Sequence, residues 1–313
     1  MKDFLKLVRW PNLVVIIITM TFMLFLMINP LLGLAPFEAG LSPVQFGLLV
    51  ISVVLITMGG YIINDVVDIN PDSINKPGKN LIGQSISEKS AQTLYWVISL
   101  AGLLCGTMFS YLLNQINYSL IFVFSAGLLW FYSQKYKGQP LVGNLVVALL
   151  SGLSFGLVWL FTFFAMSYQA QEFAQVQPFF ALVTKLVFIY VGFAFAITLL
   201  RELIKDLEDF AGDNRFGCRT LPVAYGTGPA KTVALVVGYL SLAGLLWTDY
   251  FFIRLNYVGL TGWFILLAFF LGFIQFKLHR AKEISDFSKL SRLTKLLMLL
   301  GILSLVFFYF EQP

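Results

Sequence analysis

Charged residues are scarce in this sequence of 313 residues. Only 12% of the chain is Asp, Glu, Lys or Arg and 58% is hydrophobic, whereas an ordinary soluble domain is about 25% charged. So few charges exclude a soluble globule. Cysteine and histidine are scarcer still, since the chain has only Cys105, Cys218 and His279. These counts exclude a disulfide framework and a cysteine–histidine metal cluster.

Long apolar runs, by contrast, recur from one end of the chain to the other. About 20 apolar residues in a helix cross the hydrocarbon core of a bilayer. Windows of this kind predict nine spans: 11–34, 44–64, 93–113, 117–134, 141–166, 179–203, 230–248, 252–276 and 293–310. Only a short turn separates the third window from the fourth, so counts of eight or ten stay open. The first window is too long for the core of a signal peptide, and we expect no removable leader.

The basic residues predict how the chain is oriented. If nine spans alternate between the two sides of the membrane, every Lys and Arg except Lys185 and Arg254 falls in or beside segments on the side of the N-terminus. Basic residues concentrate on the cytoplasmic side of membrane proteins. We therefore expect one domain over 1–313 in the cell membrane, with the N-terminus in the cytoplasm and the C-terminus outside. The basic excess then reports topology, and nucleic acid is not expected as a partner.

Two acidic clusters lie at the ends of the second and sixth windows, in segments 64–92 and 202–229 that are expected to be cytoplasmic loops. The first cluster runs from Asn64 to Asp72 and the second from Asp206 to Asp213. Both contain the spacing D-x-x-D-x-x-x-D. On a helix, residues three, four and seven apart share one face. Within each cluster, the side chains predicted to align are therefore Asn64 with Asp68, and Asp206 with Asp209 and Asp213.

Carboxylates close to the membrane core are costly, about 2.5–3.5 kcal/mol for an aspartate at a helix centre, so a cation must offset them. Magnesium takes oxygen ligands, often one or two carboxylates together with substrate phosphates. Basic residues that can bind phosphate oxygens follow both clusters. This combination favours a magnesium–diphosphate site. The alternatives are solvated helix caps and local ion pairs, such as Glu202 with Arg201 or Lys205.

The paired clusters resemble the motifs of the UbiA superfamily of intramembrane prenyltransferases. The segments 72–77, 201–206 and 212–215, with Arg9–Asn12 near the N-terminus, are similar to the branch that contains digeranylgeranylglyceryl phosphate synthases and chlorophyll synthases. One departure is the sequence 79–82, where the family usually has Arg-Pro-(Ile/Leu)-Pro. This departure concerns the acceptor and leaves the acidic motifs intact.

The resemblance implies an all-α bundle of nine helices around a central cavity. It implies Mg²⁺-dependent transfer of a prenyl group from a prenyl diphosphate to a lipophilic acceptor, with Asp68 and Asp209 as catalytic residues. The implied metal ligands are Asn64, Asp65, Asp68, Asp72, Asp206, Asp209 and Asp213. The diphosphate would be bound by Lys76, Lys79, Arg215 and Arg219. The acceptor would be bound by Asn12, Lys135, Lys137 and Asn144.

The closer branch implies geranylgeranyl transfer to a geranylgeranylglycerol-phosphate-type acceptor, which makes an ether lipid. An aromatic quinone precursor or a porphyrin-type acceptor stays open. The rival class is an ion-coupled transporter, because membrane carboxylates often mark ion pathways. Transporter acids lie near the bilayer midplane in broken helices, whereas these acids cluster at span ends.

Overall fold

The computed structural model describes residues 2–75 and 81–311. In these ranges the chain is helical, and its only extended pairing is an isolated bridge between Ile82 and Ile86. Nine of the described helices are long and apolar enough to cross a membrane, which confirms the predicted count. These spans are Trp10–Leu32, Pro43–Val67, Glu88–Leu112, Ile116–Tyr136, Val142–Ser167, Ala170–Arg215, Thr227–Arg254, Val258–Arg280 and Ile284–Phe310.

Several spans are built from more than one helical segment. Three short α-helices lie outside the spans: Lys2–Leu7, Ile69–Asn75 and Leu221–Tyr225. Span 1 contains a π-helical segment, Met23–Ile28, and span 4 ends in another, Tyr132–Tyr136. A short 3₁₀ turn begins span 4 at Ile116–Tyr118, and two others interrupt spans 6 and 9 at Gln177–Phe179 and Ser304–Val306. The main helix of span 6 runs without interruption over Phe180–Arg215.

Several helix boundaries differ from those predicted, and two of the differences fall in charged segments. The helix of span 6 continues to Arg215, so the second acidic cluster is helical, although a loop over 202–229 was expected. Span 9 begins at Ile284, nearer the N-terminus than the predicted window. Its first turns are too polar to register as an apolar window. They are helical because Glu283 and Asp286 form a reciprocal capping box.

The chain forms two compact units. Unit 1 comprises 1–18, 41–146 and 211–220, and unit 2 comprises 19–40, 147–210 and 221–313. In unit 1, spans 2 and 3 approach closely at glycines. A Cβ at Gly106 would lie 2.5 Å from Phe122 Cγ and 2.8 Å from Ser52 Oγ. Ser52 Oγ donates a hydrogen bond to the Gly102 carbonyl oxygen at 2.7 Å, which joins the two spans.

The N-terminal helix of unit 1 is anchored by apolar packing. Leu7 and Val8 are fully buried in a cluster with Ile62 and Ile63 of span 2, and this cluster also contains Ile82, beyond the first acidic cluster. Such burial stabilises by about 25 cal/mol per Å² of apolar area. The packing holds the chain on both sides of the first acidic cluster.

Unit 2 is held by aromatic packing and buried hydroxyl pairs. Phe252 lies edge-on to Phe264 and Phe308, with ring centroids 4.9 and 6.2 Å away. Tyr190 Oη and Ser304 Oγ share a buried hydrogen bond of 2.6 Å. Hydrogen bonds of this kind satisfy hydroxyl groups that lipid cannot.

Candidate active site

The first acidic cluster lies at a helix break. The helix Pro43–Val67 ends with Asp68 as its C-cap, and a new helix begins at Ile69. Proline 71 has no N–H to donate to the carbonyl of Val67, so the regular ladder cannot continue. The helix therefore breaks at Asp68, three residues before the proline. The Asp72 N–H still donates to the Asp68 carbonyl oxygen at 2.9 Å, which holds Asp72 close to Asp68.

Asn64 and Asp68 share a contact with a lysine from another part of unit 1. Lys137 Nζ donates to Asn64 Oδ1 at 3.2 Å and forms an ion pair with Asp68 Oδ2. Asn64 Nδ2 also donates to Asp68 Oδ2 at 2.9 Å. Burial lowers the pKa of Lys137, but the nearby carboxylate of Asp68 outweighs it and raises the pKa above the usual lysine value. The lysine is therefore an ammonium ion at neutral pH.

The local backbone explains how Lys137 reaches this position. The residue directly follows the π-helical segment Tyr132–Tyr136, and its N–H donates to the Tyr132 carbonyl oxygen at 2.8 Å. A π-turn adds one residue to a helical turn and re-aims the side chains after it. Leu141, four residues on, has φ +67°, so the chain turns sharply into span 5.

Arg9 binds the other aspartate at the end of span 2. Arg9 Nη2 lies 2.5 Å from Asp65 Oδ1, and the guanidinium lies 4.9 Å from the centroid of the Tyr61 ring. Asn12 Nδ2 donates to Tyr61 Oη at 3.4 Å. Arg9 has φ +51°, a left-handed conformation that non-glycine residues seldom adopt. It separates the N-terminal helix from span 1.

The end of the second acidic cluster belongs to the same unit as the first. Thr220 Oγ1 donates to Asp213 Oδ2 at 3.2 Å, and the Cys218 N–H donates to the Asp213 carbonyl oxygen at 2.9 Å. The pKa of the Cys218 thiol is raised by burial, by Asp213 and by Asp68, while Lys137 lowers it. Asp213, Asp68 and Lys137 therefore all lie near this thiol.

The rest of the second cluster lies on the unit 2 part of its helix. Lys205 Nζ lies 3.9 Å from Asp209 Oδ2, one turn away. Arg201 Nη1 lies 2.7 Å from Glu202 Oε1, so the local ion pair considered from the sequence is present. Asp206, Asp209 and Asp213 recur at helical spacing along the uninterrupted helix, which is consistent with their predicted common face.

The other predicted site residues have varied surroundings. Lys76 and Lys79 lie outside the described residues. Arg215, Arg219 and Lys135 are exposed, and Asn144 is buried. The Arg219 N–H donates to the Gly138 carbonyl oxygen at 3.2 Å, which brings the segment after the second cluster beside the one that carries Lys137.

Two contributions were not predicted. Arg9 and Thr220 belong to segments that resemble family motifs, but no contact was predicted for either. No spacing rule predicts either contact: the Arg9–Asp65 pair is 56 residues apart in sequence. The Arg-Trp-Pro-Asn motif that begins at Arg9 was the only indication in the sequence that Arg9 has a role near the site.

The oxygen atoms of the first cluster suit a hard cation. Within the described ranges, no three Asp, Glu, His or Cys side chains are placed to hold a metal by themselves. Asn64 and Asp68 nevertheless direct oxygens at one ammonium group, that of Lys137. Mg²⁺ can bind through one or two carboxylates and complete its shell with water and substrate phosphates. These residues therefore fit magnesium bound together with a phosphate-bearing substrate.

Sequence comparison places the chain in a family. The model of the UbiA prenyltransferase family matches residues 26–301. The chain belongs to this family. Digeranylgeranylglyceryl phosphate synthase of Sulfurisphaera tokodaii is 36% identical over 189 residues, 60% of either chain. The synthase of Methanosarcina barkeri is 28% identical over 246 residues, 77% of either chain. The chain thus spans 60% of the length of the first of these relatives.

Solved structures share the UbiA fold. A structure of digeranylgeranylglyceryl phosphate synthase has a TM-score of 0.63 and 24% identity, and the match covers 97% of this chain and 96% of that one. A UbiA homolog from Archaeoglobus fulgidus, bound to GPP and Mg²⁺, has a TM-score of 0.56 and 13% identity, with 97% and 99% covered. These likenesses confirm the predicted all-α membrane fold.

Proposed function

We propose that this UbiA family member transfers a prenyl group from a prenyl diphosphate to a lipophilic acceptor in a Mg²⁺-dependent reaction. The observation that carries the proposal is the contact of Asn64 and Asp68 with the Lys137 ammonium, with Asp213 of the second cluster near the same thiol as Asp68. An oxygen-lined cation site with residues of both clusters is what binding of a metal diphosphate requires.

The proposed metal ligands keep the set expected from the sequence. Asn64, Asp68, Asp209 and Asp213 are the inner candidates, and Asp72 and Asp206 act directly or through water. Asp65 is also kept in the set, although Arg9 already binds its carboxylate. The diphosphate oxygens are proposed to contact Lys76, Lys79, Arg215 and Arg219. When bound, Mg²⁺ would neutralise negative charge that develops on the departing diphosphate.

The residues of the chain then have three tasks. Carboxylates of both clusters would hold the Mg²⁺ that binds the diphosphate end of the donor. Apolar walls of the membrane helices keep water from the allylic carbon. Lys137 holds an acceptor phosphate, with Asn12, Lys135 and Asn144 as further acceptor contacts. The acceptor hydroxyl forms the new C–O bond at the allylic carbon, the bond to diphosphate breaks, and the hydroxyl proton is released.

The proposed acceptor is a geranylgeranylglycerol-phosphate-type lipid and the proposed donor is geranylgeranyl diphosphate. This choice rests on the relatives named digeranylgeranylglyceryl phosphate synthase. The solved homolog that holds GPP and Mg²⁺ supports a prenyl diphosphate donor. We further propose that the acidic clusters and the N-terminus face the cytoplasm and that the C-terminus lies outside.

The test is a product assay with purified protein. The protein is incubated with geranylgeranyl diphosphate and, separately, with a glycerol-phosphate lipid, an aromatic quinone precursor or a porphyrin-type acceptor. Mass spectrometry of the extracted lipids, with and without Mg²⁺, identifies the product. We expect a prenylated ether lipid that forms only with Mg²⁺. Release of prenol alone, or no product with any acceptor, contradicts the proposal.

A variant pair separates chemistry from folding. Asp68→Asn should abolish product because it removes the carboxylate that meets the cation. Glu208→Gln changes an acid in the second cluster that is not among the proposed ligands, and it should keep near-normal activity. Equal activity in both variants would contradict the assigned site.

A further inference from the structure

A second charged surface lies in unit 2, apart from the residues assigned above. Five of the exposed basic side chains at the end of span 8 and the start of span 9 form what we call the basic patch: Lys277, Arg280, Lys282, Lys289 and Arg292. They lie within 16 positions of the sequence, on two helix ends joined by a short turn. The proposed transfer reaction uses none of them.

Basic residues at the end of a helix often cap its last carbonyl groups, but at the end of span 8 Lys231 does this instead. The last carbonyls of a helix attract cations. At the end of span 8, Lys231 Nζ fills this position and donates to the carbonyl oxygens of His279 and Ala281 at 2.8 and 2.7 Å. Lys277 and Arg280 are therefore not needed to cap their own helix.

The two acids in this segment are also engaged. Asp286 accepts from the backbone N–H groups of Lys282 and Glu283 at 3.1 and 3.2 Å, and Glu283 takes part in the same capping box. None of the ion pairs found among the described residues involves the basic patch. Asp286 does lie within electrostatic range of Lys289 and Lys277, but two acids cannot neutralise five cations, so the patch keeps a net positive charge.

Aromatic rings fix the depth of the patch in the membrane. The Arg280 guanidinium lies 4.2 Å from the centroid of Phe276, and Lys277 Nζ lies 5.5 Å from that of Phe273. Both rings are about half exposed, at 50% and 46%. Exposed rings at the end of a span face lipid, while lysine and arginine extend from the apolar stem towards the headgroups. The cations are therefore at headgroup level.

We propose that the basic patch binds the phosphate groups of anionic lipid headgroups. Charge complementarity selects the partner: five cations that outnumber the two acids beside them, and that form no ion pair among the described residues, match an anionic bilayer surface. The contact stabilises unit 2 in anionic membranes. It is independent of the proposed transfer reaction, because the patch contains no residue of the candidate active site.

The test compares anionic and zwitterionic lipids on the full chain. Purified protein in neutral detergent is titrated with phosphatidylglycerol or phosphatidylcholine, and bound lipid is counted by native mass spectrometry. A triple variant, K277Q/R280Q/K289Q, is compared with a control triple that removes the same charge from exposed positions in unit 1, K2Q/K6Q/K89Q. We expect wild type and the control to prefer phosphatidylglycerol, and the patch variant to bind it at least about tenfold more weakly.

Three outcomes would overturn the proposal: equal binding of the two lipids by wild type, an unchanged preference in the patch variant, or equal losses in both triples. Salt gives a check that needs no variant, since about 1 M salt shortens the screening length to about 3 Å and should abolish the wild-type preference. Inorganic phosphate at the same concentration as the lipid should not compete, because the partner is a headgroup in a membrane surface. If inorganic phosphate did compete with the lipid, the patch would be a binding site for a free anion and the proposal would be wrong.

Discussion

The carboxylate of Asp68 shows at the scale of one residue why the candidate site needs a cation. Its side chain is 7% exposed, and that of its partner Lys137 is 29% exposed. A buried charge without a partner is strongly destabilising, whereas a paired one is tolerated. The ion pair therefore explains how a carboxylate persists at the end of a membrane helix. The same oxygens are the ones proposed to bind magnesium.

Replacing Lys137 by methionine tests this pairing. The K137M variant should lose about 2 kcal/mol of stability, because Asp68 keeps its charge without a partner. The loss should be present from neutral pH up to about 10.5, the ordinary lysine value, and should fade as the pH rises through the raised pKa of the folded protein. Thermal unfolding in detergent over a pH series measures it.

K135M is the matched control for this experiment, since it removes an exposed lysine two residues away and should leave the unfolding temperature unchanged. Added Mg²⁺ should stabilise K137M more than wild type, because it can replace the missing ammonium. Equal unfolding temperatures of K137M, K135M and wild type would show that the pair contributes nothing.

The reactivity of the Cys218 thiol depends on the charges of nearby site residues, because they shift its pKa. Its raised pKa keeps the thiol protonated at neutral pH, and the thiolate is the form that reacts with alkylating reagents. In a C105S background, D213N should speed alkylation by N-ethylmaleimide because it removes a negative charge. K137M should slow it because it removes a positive one.

E208Q is the control for the alkylation rates and should match the parent. Rates followed by mass spectrometry from pH 7 to 9 distinguish these variants. If D213N and K137M changed the rate in the same direction, the assigned proximity of both groups to the thiol would be wrong.

At the scale of helices, the geometry of the first acidic cluster depends on close packing of spans 2, 3 and 4. Gly106 allows this approach, since any Cβ there would meet Phe122 and Ser52. Gly127, in span 4, has no atom within 4 Å of an added Cβ. The two glycines thus offer a matched pair within unit 1.

Gly106→Leu should lower the free energy of unfolding by about 1–3 kcal/mol, the usual cost of overpacking. Gly127→Leu should be neutral or slightly stabilising, because leucine is the better helix former. Thermal unfolding in the same detergent compares them. A neutral Gly106→Leu variant would contradict the close packing of spans 2 and 3.

Across the whole molecule, apolar windows predicted the nine spans and acid spacing predicted the two clusters, because both properties are local. The register of the contacts was not predictable. Lys137 and Asp68 are 69 residues apart in sequence. Their contact depends on a π-helical segment that no residue pattern predicted. The exact position of the helix break, at Asp68, was not predictable either. It depends on the carbonyl of Val67, which receives no hydrogen bond from Pro71.

The central claim is that Asp68 and Asp213, one from each acidic cluster and both in unit 1, belong to one Mg²⁺–diphosphate site. Isothermal titration with a non-reactive prenyl thiodiphosphate, with and without Mg²⁺, tests it most directly on wild type, D68N, D213N and the double variant. We predict Mg²⁺-dependent binding by wild type, a loss of about a hundredfold or more in each single variant, and little further loss in the double variant. Wild-type affinity in either single variant, or binding that ignores Mg²⁺, would contradict the claim.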